Sequence, residues 1–200
     1  MTADDSGSGS GSAATRRPGG SDVCSADHAG WLVTPLRRLL HDPRRILAGL
    51  IAPGATAIDF GCGPGFFTLP MAEMVGTQGL VVAVDLQDAM LDRVRQRAER
   101  AGLASRIRLQ RCRADTVGEL PAADFALAFC MVHEVPDVER FLGEVAGALK
   151  AGGRFLLVEP RGHVPAAAFA ATVAVAVANG LRPLATPRVR GARATLFERV

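Results

Sequence analysis

The sequence predicts an α/β domain built on a parallel sheet with helices on both faces. Three observations carry this. From Thr56 onward, short β-rich apolar runs alternate with amphipathic helical patterns, Gly or Pro closes most of those helical patterns, and one strand runs directly into a turn holding three glycines. The 200 residues are nearly half apolar, enough for one substantial core but not comfortably for two, so one domain is expected over residues 23–200. Residues 1–22 are mostly Gly, Ser, Ala and Asp and cannot bury enough surface to offset the entropy of ordering them. A disordered tail is expected there.

Two short helices open the domain within residues 23–51. Thr34 can cap a helix with Pro35 at its first position, and Asp42 can cap another with Pro43 in the same relation. Pro53-Gly54 ends this region. Strands are expected at Thr56–Phe60, Leu80–Asp85, Arg106–Gln110, Phe125–Cys130 and Arg154–Val158. The helix after the first strand carries Pro70, which should kink it or remove one ladder bond. Residues 86–101 place Met90, Leu91, Val94 and Ala98 on one face, with Gly102 as the stop. Val138, Phe141, Leu142, Val145 and Leu149 form another such face, stopped by Gly152-Gly153. The uncharged run Ala166–Ala178 is too short to cross a bilayer and reads as a core-facing helix closed by Asn179-Gly180. Leu181–Pro187 holds two prolines, so as a strand it belongs at a sheet edge. Arg190-Gly191 can turn the chain back into an antiparallel strand over Ala194–Arg199.

Composition excludes several classes. Arg16-Arg17 lacks the apolar region an export signal needs, and Cys24 lacks the apolar run of a lipoprotein signal, so a cytoplasmic location without a membrane span is expected. Cys24, Cys62, Cys112 and Cys130 form no C-x-x-C pair, so reduced thiols and no metal site are expected. A net charge of +3, with Lys150 as the sole lysine, is too weak to argue for nucleic acid. Arg37, Arg38, Arg44 and Arg45 read as a solvated helix face, and Trp31 as an aromatic that staples the first helix down.

The chemistry concentrates in Ala57-Ile58-Asp59-Phe60-Gly61-Cys62-Gly63-Pro64-Gly65, where a strand passes into a triple-glycine turn and then a helix. Glycines let backbone pass close to a ligand that the helix N-terminus faces. The next strand ends in Asp85, twenty residues past Gly65, where a carboxylate can accept hydrogen bonds from both hydroxyls of a ribose. Both parts suit a nucleoside. The dinucleotide fingerprint G-x-G-x-x-G is not met, because the third glycine arrives one position early. Asp59 would repel a pyrophosphate but can satisfy a ligand ammonium.

At these residues D-F-G-C-G-P-G, followed by V-V-A-V-D, resembles the first two motifs of class I S-adenosylmethionine (SAM)-dependent methyltransferases. Arg113-Ala114-Asp115-Thr116 resembles the acidic segment that holds the adenine, Asp124–Phe129 the fourth-strand motif, and Leu149–Arg154 the turn into strand five. With Met131-Val132-His133-Glu134-Val135-Pro136-Asp137 after strand four, the chain looks most like the methyltransferase type 11 group, related to ubiquinone and menaquinone biosynthesis enzymes. The resemblance implies a doubly wound, Rossmann-like seven-stranded sheet of order 3-2-1-4-5-7-6, with the ligand over the carboxyl ends of the strands. It implies SAM as cofactor, contacted by Asp59, Gly61, Cys62, Gly63, Gly65, Asp85, Leu86, Ala114, Asp115, Thr116 and Cys130.

Methyl transfer is an in-line displacement in which positioning supplies most of the catalysis, so a dedicated catalytic side chain is optional. An acceptor carrying a proton would gain from a general base, for which His133, Glu134, Glu159 and His163 are the candidates. The expected function is methylation of a small molecule, with residues 23–51 as a lid. No N-P-P-Y-like segment follows strand four, against nucleobase amino-methylation, and there is no room for a separate nucleic-acid module. The competing readings are a SAM-binding regulatory or partner protein without catalysis, and a nicotinamide-dependent oxidoreductase, which the glycine spacing and Asp59 disfavour.

Overall fold

The computed structural model describes residues 41–200. The expected helix capped by Thr34, the tail, Cys24, Trp31, Arg37 and Arg38 lie outside these residues. The elements run α1 (Pro43–Ile46), β1 (Thr56–Phe60), α2 (Thr68–Val75), β2 (Leu80–Asp85), α3 (Asp88–Arg100), β3 (Ile107–Arg111), β4 (Ala123–Phe129), α4 (Val138–Ala148), β5 (Leu149–Pro160), α5 (Ala166–Ala178), β6 (Leu181–Ala185) and β7 (Ala192–Arg199). They form one seven-stranded sheet of order β3-β2-β1-β4-β5-β7-β6. Strands β1 to β5 are parallel to one another, and β7 is antiparallel to both β5 and β6. This is the predicted topology, with the proline-bearing strand at the edge.

Local chemistry explains the elements. The Asp42 side chain accepts the Arg44 N–H at 3.0 Å and caps α1. Pro70 neither removes a ladder bond nor needs a kink, contrary to expectation. The helix begins at Thr68, so Pro70 falls in the first turn, whose N–H groups have no intrahelical acceptor anyway. On α3 the buried residues are Met90, Leu91, Val94 and Ala98, the predicted stripe. Strand β5 starts earlier than expected, at Leu149, because that residue already pairs with Ala123 beyond the end of α4. Pro183 pairs with Phe197 on the outer edge, where its missing donor faces no further strand.

The sheet separates two apolar layers. On one face Phe141, Leu142 and Val145 of α4 and Phe169 and Ala176 of α5 pack on Phe60, Phe155, Leu157 and Phe197. On the other, Phe66, Phe67, Met71 and Val75 pack with Leu47 on Val81, Phe125, Leu127, Leu156 and Leu196. Each large side chain so enclosed contributes about 1.5–3 kcal/mol relative to exposure. The expectation that α5 faces the core holds only for a narrow stripe. Phe169 and Ala176 alone are fully buried on it, and Val177 is 49% exposed. The helix lies over α4 and the sheet margin, where there are too few elements to cover its other sides. No helix among the described residues is long and apolar enough to cross a membrane.

Chain order reverses at β1, which pairs with β2 on one side and β4 on the other. The loops after β1 and β4 therefore leave the sheet in opposite directions and open a crevice at its carboxyl end.

Candidate active site

The turn after β1 is built by backbone conformations that side chains disfavour. Gly61, Gly63 and Gly65 have φ of 62°, 51° and 81°. A Cβ on Gly61 would come within 2.9 Å of Met131 Cγ, so its glycine also lets the loops after β1 and β4 close together. The Cys62 N–H donates to the Val84 carbonyl at 3.0 Å and the Gly63 N–H to Asp85 Oδ2 at 2.9 Å, which ties the turn to the end of β2. Opposite, Cys130 adopts φ 57° while its N–H bonds the Val158 carbonyl at 2.7 Å. Strain of this kind outside glycine concentrates at functional sites.

These loops enclose a cavity of about 430 Å³, within the size range of small-molecule sites. Its wall includes Asp59, Gly61, Cys62, Gly63, Asp85, Leu86, Ala114, Asp115, Thr116 and Cys130, ten of the eleven residues nominated as cofactor contacts. Gly65 is not on that wall. It stands behind it, where a Cβ would meet Leu69 at 2.9 Å and Val94 at 3.2 Å, so its absence of side chain serves the packing of α2 on α3.

Asp85 is 8% exposed, and its two oxygens accept the N–H groups of Gly63 and Gln87, each at 2.9 Å. A carboxylate has about four acceptor positions, so capacity remains for a ligand. Burial pushes its pKa up, and the backbone N–H groups of Gln87, Gly63 and Leu86 oppose the rise. Asp59 is 2% exposed and accepts the Thr68 hydroxyl at 2.6 Å. Thr68, fully buried at the start of α2, was not anticipated; the hydroxyl placed nine residues after Asp59 carries no pattern until the turn brings the two together. Glu144, also on the wall and also missed, accepts the Val117 N–H at 2.7 Å and so holds the segment after Thr116. The Cys62 thiol is pushed well up by burial and by the nearby Asp59 and Asp85 charges, and Cys112 is raised to about 11 by burial and Asp85. Both are neutral thiols.

The residues nominated as bases converge, but beside the cavity. Glu159 is 2% exposed; its Oε1 accepts the Val132 N–H at 2.8 Å and its Oε2 lies 2.5 Å from His133 Nδ1. A proton on Nδ1 directed at Glu159 leaves Nε2 as the acceptor nitrogen of the ring, 3.8 Å from Glu134. The His163 ring stacks on His133 at 6.1 Å. Of these four residues only Glu134 is on the cavity wall.

A family model described as a methyltransferase domain matches residues 57–153. Those residues are thus similar to a methyltransferase domain. Aklanonic acid methyltransferase DauC of Streptomyces sp. is 34% identical to this chain over 129 residues, 64% of this chain and 56% of that one. The ubiquinone/menaquinone biosynthesis C-methyltransferase UbiE of Brucella canis is 33% identical over 112 residues, 54% of this chain and 40% of that one. The matched segment thus spans only about half the length of these curated relatives. A SAM-dependent methyltransferase from Aquifex aeolicus has the same fold, with a TM-score of 0.78 and 22% identity over 88% of this chain and 99% of that one. The family match ends within β5, so α5, β6 and β7 complete the sheet beyond it.

Proposed function

We propose that this protein transfers the methyl group of SAM to a small-molecule acceptor. The observation that carries the proposal is the buried Asp85 carboxylate on the cavity wall, held on backbone N–H groups that include Gly63 of the glycine turn, with acceptor capacity to spare. A nucleoside fits this donor set: Asp85 takes ribose hydroxyls, the Gly61–Gly63 backbone admits the chain of the ligand, and Asp59, oriented by Thr68, balances its ammonium. The segment Ala114–Thr116, with Leu86, forms the adenine side, and Cys62 and Cys130 contribute small side chains and backbone rather than nucleophiles.

Bound SAM would supply an electrophilic methyl on a sulfonium centre. The protein's part is to hold the acceptor in line and exclude water, with Phe66, Phe67 and Phe129 as apolar wall. The proton of a hydroxyl or amine acceptor passes to His133 Nε2, and Glu159 holds the imidazole in the required tautomer. Of the expected cover, residues 23–51, only residues 41–51 are described, and none of these lines the cavity. The position of His133 off the cavity wall supports a second reading, a SAM-binding protein without catalysis.

Calorimetric titration with SAM, S-adenosylhomocysteine and NAD decides the cofactor. Binding of the first two alone is the expected result, and preference for NAD would overturn the proposal. Formation of S-adenosylhomocysteine from SAM when a small-molecule extract is added then separates transfer from mere binding.

A further inference from the structure

Between Pro160 and Phe197 the sequence contains no aspartate or glutamate and five arginines, Arg161, Arg182, Arg188, Arg190 and Arg193. Cations elsewhere include several with a counter-charge: Arg44 pairs with Glu73, Arg111 with Asp88, Arg113 with Asp115, Arg140 with Glu144 and Lys150 with Asp124; within the segment, Arg182 pairs with Glu198. Arg161, Arg188, Arg190 and Arg193 have no carboxylate within ion-pair distance among the described residues.

The antiparallel pairing of β5 with β7 gathers these four. Pro160 pairs with Ala192 and Glu159 with Arg193, so Arg161, just past β5, and Arg188 and Arg190, just before β7, all stand at the end of the sheet where the cavity opens. Two of them lace the loops: Arg161 Nε donates to the Ala192 carbonyl at 3.0 Å, and Arg193 Nη1 to the Val164 carbonyl at 2.8 Å. Arg188 and Arg190 are exposed. One contact chain leads from the cluster to the cavity wall and a second to His133 beside it. His41 Nε2 donates to the Arg190 carbonyl at 2.8 Å, and its ring meets Phe129, a wall residue, edge-on at 5.3 Å. His163, two residues from Arg161, stacks on His133.

Arginines placed at one end of the sheet without a carboxylate partner give that edge a local positive field, which favours an anion. Their planar forks match carboxylate and phosphate oxygens. We propose that this arginine rim binds an anionic group of the methyl acceptor, a carboxylate or a phosphate, and so directs the acceptor from the β5–β7 edge toward His133 and the cavity mouth. This rests on the methyltransferase reading. It narrows the acceptor to small acids and phosphate esters.

The test uses the full chain saturated with S-adenosylhomocysteine, titrated with 1-naphthoate, phenyl phosphate and neutral 1-naphthamide. At least one anion should bind about tenfold or more tightly than the amide, and R188Q/R190Q should erase that preference while the affinity for S-adenosylhomocysteine stays within about twofold. Which anion responds distinguishes a carboxylate from a phosphate acceptor. Equal binding of the anions and the amide, or an anion preference that survives in R188Q/R190Q, overturns the proposal. So does a short single-stranded RNA that binds far more tightly than either anion through the same arginines. Failure of S-adenosylhomocysteine to bind would instead refute the methyltransferase reading, and the anion titrations repeated without it would still report on the rim.

Discussion

Replacing Asp85 by Asn isolates the charge at the centre of the proposed cofactor site. The side chain keeps its shape but offers one acceptor oxygen where the carboxylate offers two, while both Gly63 and Gln87 present N–H groups at 2.9 Å. One of these donors must lose its partner or face an NH₂ group, which costs about 1–3 kcal/mol of stability. On the ligand side, two hydroxyl bonds to a carboxylate become at best one to a neutral amide. A hydrogen bond to a charged group is worth about 1.5–3 kcal/mol and a neutral one about 1, so the expected loss is about 2–4 kcal/mol. At 1.4 kcal/mol per tenfold, this weakens S-adenosylhomocysteine binding roughly 30- to 700-fold. Calorimetric titration of the wild type and the variant measures it, with thermal melting to confirm that the variant is folded. A folded variant that binds within about threefold of wild type would refute the assignment of Asp85 to the ribose.

The pH dependence of binding follows from the same residue. Burial raises the folded-state pKa of Asp85, so the ionised form that accepts ligand hydroxyls is lost at a higher pH than for an ordinary carboxylate. Affinity should fall on acidification before the usual carboxylate range is reached, and Asp85→Asn should flatten that fall. The sign for stability is opposite: the proton is held more tightly in the folded state, so the stabilising share of this group is present below the unfolded pKa and lost as pH rises through the folded one. Gly65→Ala places a Cβ at φ 81° and 2.9 Å from Leu69, so left-handed strain and overpacking should together cost about 2–4 kcal/mol in urea unfolding. A loss of under about 0.5 kcal/mol would contradict the packing role of Gly65. With its thiol raised to about 11, Cys112 should alkylate with iodoacetamide at neutral pH about 100-fold or more slowly than a free cysteine. Peptide mass spectrometry resolves it from the other thiols, and equal rates would mean that the pocket does not shield it.

The alternation of β-rich runs with amphipathic stripes, the glycine turn and the acidic residue ending β2 by themselves determined the fold class and the centre of the proposed cofactor site. These are local signals: a left-handed turn demands glycine, a covered strand demands continuous apolar residues, and a stripe such as Met90, Leu91, Val94 and Ala98 faces one way at the helical period. The edge position of β6 was readable for the same reason, since Pro183 cannot donate to a further strand. Tertiary structure alone decided what depends on residues distant in sequence. Ala166–Ala178 has the composition of a core helix, yet only packing could show that its neighbours cover one narrow stripe. Thr68 became the partner of Asp59, and Glu144 the holder of Val117, through chain reversals that leave no periodic mark. His133 and Glu159 are 26 residues apart, and the arginine rim joins the end of β5 to the start of β7. A side chain's type is written in the sequence, but its partner is set by the register of strands that pair across the sheet. That register is chosen by the burial of the whole core rather than by any one segment.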